Sequence, residues 1–268
     1  IPNFKLDKKI VERRTEWLTD SGVVFNLNTE VGKNISFQDL EKDYDAILIA
    51  TGVYKARQLD IDTSSVNNSI PALDFLIESN RTGLGDSPSK NKYLTAKDKH
   101  VVVIGGGDTA MDCVRTAIRQ QAKEVTCLYR RNKENMPGSA REVLNAEQEG
   151  IKFNWLSVPS KIISNSSTAT SMTYKVATLG EVDESGRRKP IDTGVEKQIK
   201  SDLIIQALGF EPEDLNYNFK TNIELTSWKT IKVDFKKFQT SNPKIFAAGD
   251  IVRAVSYTHL TLPTTGVV

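Results

Sequence analysis

His100-Val101-Val102-Val103-Ile104-Gly105-Gly106-Gly107-Asp108-Thr109-Ala110 decides the fold. The first five residues are largely apolar and read as a strand. Gly105 to Ala110 fit the spacing G-x-G-x-x-A, with Gly106, Asp108 and Thr109 completing the loop. A helix follows, with Met111, Val114 and Ile118 on one face, and then a second strand, Val125-Thr126-Cys127-Leu128-Tyr129. Gly105 permits the tight turn, Gly107 lets the backbone approach a pyrophosphate, and Ala110 is small enough for helix and strand to pack closely. The helix N-terminus adds N–H groups and a partial positive charge. A glycine-rich turn is the plain alternative for such a loop alone. The strand before it and the helix and strand after it favour a dinucleotide-binding Rossmann unit.

The end of the second strand selects the dinucleotide. An NAD site places Asp or Glu about 20 residues on, and an NADP site places Arg nearby. Here that position holds Arg130, followed by Arg131, while Glu124 precedes the strand and Glu134 lies beyond it. Guanidinium forks suit a 2′-phosphate, so the pair predicts NADPH over NADH. Two solvated arginines at a loop start are the plain alternative.

Outward from this unit, the 268 residues leave room for one large or two modest domains. A net charge of +2 gives no reason to expect a nucleic-acid or membrane surface, and no apolar run approaches a membrane span. Cys113 and Cys127 lack CxxC spacing, which argues against a disulfide framework, a zinc site or an iron–sulfur cluster in this stretch. A reducing cytoplasm is the simplest compartment. Helices are predicted over Leu6–Ser21, with Ile10, Val11, Trp17 and Leu18 on one face, over Phe37–Asp43 with Ser36 as N-cap, over Pro71–Ser79 and over Ala140–Gly150. Val23–Leu27 reads as a strand. Asp45–Ala50 reads as a strand buried on both faces that stops at Thr51-Gly52. Phe153–Val158, Lys161–Ser164 and Met172–Thr178 read as short antiparallel strands with a turn around Asp183–Gly186. Leu203–Leu208 is a buried strand closing at Gly209, and Ile231–Phe235 and Lys244–Ala248 are two more.

An apolar strand ending Ala50-Thr51-Gly52, then Gly105–Ala110, then a strand ending Ala247-Ala248-Gly249-Asp250, is similar to the two-dinucleotide-domain flavoprotein reductases. Ile1-Pro2-Asn3-Phe4-Lys5-Leu6, Ile104 to Cys113, and Tyr129-Arg130-Arg131 through Asn135-Met136-Pro137-Gly138-Ser139 more closely resemble the small (β) subunit family of NADPH-dependent glutamate synthases. The resemblance runs from residue 1 to about Arg253. It implies an α/β fold in which a Rossmann-like NADPH domain is inserted into an FAD domain. Gly52 and Gly209 would mark the crossing strands, Ala50-Thr51-Gly52 would lie near the flavin, Gly249 would end the returning strand, and Asp250 would accept a hydrogen bond from a ribityl hydroxyl of FAD. A turn or helix-cap Asp is the plain reading of Asp250. The implied reaction is hydride transfer from NADPH to FAD. Electrons then pass through iron–sulfur clusters to the glutamate synthase large subunit or a similar acceptor. Since the cofactors carry that chemistry, no acid–base pair is expected, and His100 and His259 do not suggest one.

Two departures qualify the resemblance. The family's cysteine-rich segment and its Gly-rich FAD fingerprint are not in this sequence, so the FAD-binding α/β domain is expected to be incomplete. Ala254 to Val268 lacks a helical period and contains Pro263, and resembles translated adapter sequence rather than native chain. Ile1-Pro2-Asn3 reads as a start in mid-protein. The expected divisions are residues 1–56 as a partial FAD-binding domain, 57–98 as a connection, 99–210 as the NADPH-binding domain, 211–253 as the return to the FAD domain, and 254–268 as the non-native tail. The chain is expected to bind NADPH but to hold FAD poorly. A dihydropyrimidine dehydrogenase, ferredoxin–NADP transhydrogenase or sulfide dehydrogenase relative, or a non-catalytic NADPH-binding fragment, are the alternatives.

Overall fold

The computed structural model describes residues 1–87, 89–182 and 188–253. The turn expected around Asp183–Gly186 and the tail at 254–268 lie outside them. In chain order the elements are α1 (Lys8–Asp20), α2 (Phe37–Asp43), β1 (Ile47–Ile49), β2 (Lys55–Ala56), β3 (Ser69–Pro71), α3 (Ala72–Gly83), β4 (His100–Ile104), α4 (Asp108–Arg119), β5 (Glu124–Leu128), α5 (Ala140–Gln148), β6 (Lys152–Asn154), β7 (Ser157–Asn165), β8 (Thr168–Val182), β9 (Arg188–Lys200), β10 (Leu203–Gln206), β11 (Phe210–Glu211), α6 (Leu215–Phe219) and β12 (Ile245–Ala247). They form two compact units, one of Ile1–Glu16 with Gln58–Gly209, the other of Trp17–Arg57 with the chain from Phe210 onward.

The first unit is built on a parallel sheet in the order β3-β10-β4-β5-β6. Its central strands are largely apolar because both faces are covered. Val101, Val103, Val125, Cys127, Leu203 and Ile205 face one core, shared with Phe75 of α3 and with Met111, Cys113 and Val114 of α4. Val102, Ile104, Leu128 and Ile204 face the other, against Ala169, Met172 and Tyr174 of β8. Parallel neighbours require a crossover, which α4 supplies between β4 and β5. Of its expected apolar face, Met111 and Val114 are fully buried and Ile118 packs at the edge.

Beyond β5 the sequence misleads. Phe153–Val158 is not one antiparallel strand. Leu156 sits at φ +54° and breaks it, so β6 joins the parallel sheet and β7 starts an antiparallel meander, β7-β8-β9. β9 escapes sequence detection because it is a polar edge strand exposed along nearly all its length. Residues 1–16 also leave the block expected over 1–56. Lys5 Nζ lies 2.7 Å from Asp112 of α4, and the Phe4 ring stacks 3.8 Å from the Arg119 guanidinium.

The second unit holds β1 parallel to β12, Ile47–Ile49 registering with Ile245–Ala247. Its core gathers Phe37, Ile49, Leu215, Phe219, Ile231, Ile245 and Ile251, with the Phe37 and Phe219 rings stacked at 5.2 Å. Ser36 caps α2 as expected, its Oγ accepting the Asp39 N–H at 3.1 Å. Three strand expectations fail here. β1 is covered on one face only, leaving Leu48 62% exposed. Val23–Leu27 has no strand, and Val24 and Leu27 face solvent. Ile231–Phe235 makes only isolated bridges, Leu225 to Ile231 and Asp234 to Gln239. In the last two segments the apolar residues are there, but no continuous strand ladder forms along them.

Candidate nucleotide site

The Gly105–Ala110 loop leaves the carboxyl end of β4, where parallel α/β sheets place ligands. Its three glycines answer to three different constraints. Gly105 lies at φ +141°, and a Cβ there would run into the carbonyl of Ala207. A Cβ on Gly106 would run into the Tyr129 ring. A Cβ on Gly107 would meet nothing within 4 Å. Gly107 is also the N-cap of α4, and its Cβ direction opens on free space. Ala110 is fully buried in the α4–sheet core, as close packing requires. Thr109 is half-buried and Asp108 exposed, with its Oδ1 accepting the Ser139 N–H at 2.9 Å.

That last bond belongs to a contact the sequence does not disclose. The Asn135–Ser139 segment closes against the glycine loop, the Gly138 N–H donating to the Gly106 carbonyl at 2.8 Å. The Tyr129 hydroxyl fixes its other end by donating to the Asn135 carbonyl at 2.8 Å. A Cβ on Gly138 would sit 3.0 Å from the Gly106 oxygen. The Pro137-Gly138 turn pair is the one local signal that could have pointed to it.

Arg130 and Arg131 follow β5, on the strand next to the loop. Arg130 is exposed, whereas Arg131 is buried and its Nε donates to the Arg188 carbonyl at 2.7 Å. Behind the loop, α4 is tied to α5 by ion pairs. Arg115 reaches Glu142 and Glu149 at 2.7 Å each, and Arg119 reaches Glu149 at 2.7 Å. The bonds from Arg119 and then Arg115 outweigh burial and hold the Glu149 carboxyl at about 2. Burial pushes the Asp112 carboxyl above the usual carboxylate range despite Lys5 beside it.

In the second unit, β1 and β12 bring Ala50, Thr51 and Gly52 to the same strand end as Gly249 and Asp250. The Ala248 N–H donates to the Ile49 carbonyl at 3.1 Å. Asp250 is exposed and lines a cavity of about 290 Å³ with Arg57, Trp228 and Lys229. Thr51 and Gly52 line another of about 880 Å³ with Val31, Tyr54 and Asn216. Gly209 is not part of this cluster. It follows β10 and ends the first unit.

The model of the pyridine nucleotide-disulphide oxidoreductase family matches residues 7–264. This chain belongs to that family. The family member is 48% identical over 260 residues to a glutamate synthase (NADPH) small chain of Azospirillum brasilense, a match covering 96% of this chain and 54% of that one. It is 44% identical over 259 residues to the protein of the same name from Escherichia coli K12, covering 94% and 55%. It thus spans about half the length of these curated relatives. They bear out the resemblance carried by the motif blocks. Among solved structures, FprA of Mycobacterium tuberculosis in complex with NADPH aligns with a TM-score of 0.72 at 17% identity, covering 96% of this chain and 69% of that one. The likeness bears out the two-dinucleotide-domain α/β fold.

The family's name includes disulphide chemistry, yet both cysteines of this member are free and buried. Burial pushes the Cys127 thiol up to about 12 and Cys113 well above its usual value. Buried, protonated thiols of this kind are poor nucleophiles. Among the described residues, no helix is long and apolar enough to cross a membrane, and no cluster of His, Cys, Asp and Glu could hold a metal.

Proposed function

We propose that this chain is the NADPH-to-FAD hydride-transfer module of a glutamate-synthase-like small subunit. One observation carries the reading: the uncapped start of α4 opens on unobstructed space at Gly107, on the strand end beside Arg130 and Arg131. That arrangement fits an anionic pyrophosphate with a 2′-phosphate on the neighbouring strand. Gly105–Gly107 and the first turn of α4 would hold the pyrophosphate, and Arg130 with Arg131 would face the adenosine ribose. Thr51, Gly52 and Asp250 would meet FAD, with Asp250 accepting a ribityl hydroxyl. When bound, the two cofactors supply the redox chemistry, a hydride passing from nicotinamide to flavin. The protein's own residues bind and orient, and none is needed as a general acid or base.

The relatives named glutamate synthase small chains support a large-subunit partner. The two free thiols support a reducing, cytoplasmic setting. NADPH oxidation with added FAD and a dye acceptor tests the reading. Binding of NADPH in preference to NADH is expected, with any turnover limited by how poorly this stretch holds FAD. Failure to bind either nucleotide refutes it.

A further inference from the structure

Arg130 and Arg131 look like twin phosphate ligands in the sequence, but packing gives them different tasks. Arg131 is 7% exposed, and its Nε is committed to the Arg188 carbonyl at 2.7 Å. The Nε edge of a guanidinium is one of its two-pronged faces, so that face is closed to a phosphate. Arg130, one residue earlier, is exposed.

The same bond fixes a third arginine at this place. Arg188 is the first residue of β9, registers with Val182 of β8, and is itself exposed. The meander that carries it is stapled to the end of β5 twice more. The Ser157 N–H donates to the Tyr129 carbonyl and the Leu156 N–H to the Arg131 carbonyl, both at 3.0 Å. The Ala177 N–H of β8 donates to the Leu156 carbonyl at 2.8 Å. The carbonyl of Arg188 is therefore held against the Arg131 guanidinium, with Lys189 next to it and exposed.

We propose that Arg188 is a specificity-determining residue for the 2′-phosphate of NADPH, and that Arg131 is the positioning residue that fixes its backbone at that site. The proposal rests on the NADPH reading above, and its test separates the two. Calorimetry would measure binding of adenosine 2′,5′-bisphosphate and of AMP to the whole chain, its Arg188→Ala and Arg188→Lys variants, and Arg130→Glu. Arg188 is exposed, and matching thermal melts establish that its variants fold. Arg188→Ala should weaken the bisphosphate about tenfold and AMP less than about twofold, as loss of one charged hydrogen bond requires. Arg188→Lys should recover most of the loss by keeping the charge. If Arg188→Ala weakens neither probe, or both equally, while Arg130→Glu still weakens the bisphosphate selectively, the role of Arg188 is overturned and the NADPH reading stands. If the unaltered chain does not prefer the bisphosphate to AMP, the NADPH reading itself falls.

Discussion

Replacing Gly105 and Gly107 by alanine, one at a time, separates what the loop does for folding from what it does for nucleotide. At Gly105 the new Cβ would collide with the Ala207 carbonyl, at a φ of +141° that alanine rarely adopts. Backbone strain of that kind costs about 1–3 kcal/mol, and the overpacking adds about 1–3 kcal/mol. Gly105→Ala should therefore destabilise the chain by roughly 2–6 kcal/mol. At Gly107 the φ is −88° and the new methyl meets nothing. Alanine is a slightly poorer N-cap than glycine but also restricts the unfolded chain, so the net change in stability should stay within about 1 kcal/mol. Yet that methyl would stand where the pyrophosphate must approach the backbone. Gly107→Ala should lose NADPH affinity by at least about tenfold, the equivalent of one or more charged hydrogen bonds. Urea denaturation and nucleotide titration of both variants would measure this. A Gly107→Ala protein of unchanged NADPH affinity would refute the assignment of the cradle.

Two further outcomes follow from α4 and its surroundings. Glu149 is held at about 2 against an ordinary value of 4.5, so its contribution to stability is complete above about pH 4.5 and is lost as pH falls towards 2. Glu149→Gln should cost on the order of 2 kcal/mol at pH 7, discounted for the partial exposure of Arg119. The gap should close in acid denaturation series between those pH values, and a pH-independent gap would contradict the ion-pair origin. Cys113 and Cys127 are fully buried and their thiols are pushed upward, so a thiol reagent should label neither in the native chain and both in denaturant. Rapid native labelling would contradict the packing of α4 on β5.

The legible parts of the sequence were those where local stereochemistry and burial agree. β4, the glycine loop, α4 and β5 could be read because the strands are covered on both faces and the loop tolerates few residue types. The second unit was read less well for the opposite reason. Leu48, Val24 and Leu27 are apolar but uncovered, so hydrophobicity overstated the sheet. β9 was invisible because an exposed edge strand carries no apolar alternation. The closure of Gly138 over Gly106 and the bond of Arg131 to Arg188 join segments 32 and 57 residues apart, beyond what local pattern can carry. The residue types of the nucleotide site were thus legible, while the division of labour between its arginines was not.

The central claim is that the first unit is built for NADPH. Equilibrium titration of the chain with NADPH and NADH, repeated on Arg130→Glu, tests it most directly. The account predicts that the unaltered chain binds NADPH at least about tenfold more tightly than NADH, and that Arg130→Glu removes most of this preference while leaving NADH affinity nearly unchanged. Equal affinity for the two nucleotides in the unaltered chain, or an equal loss of both in the variant, would contradict it.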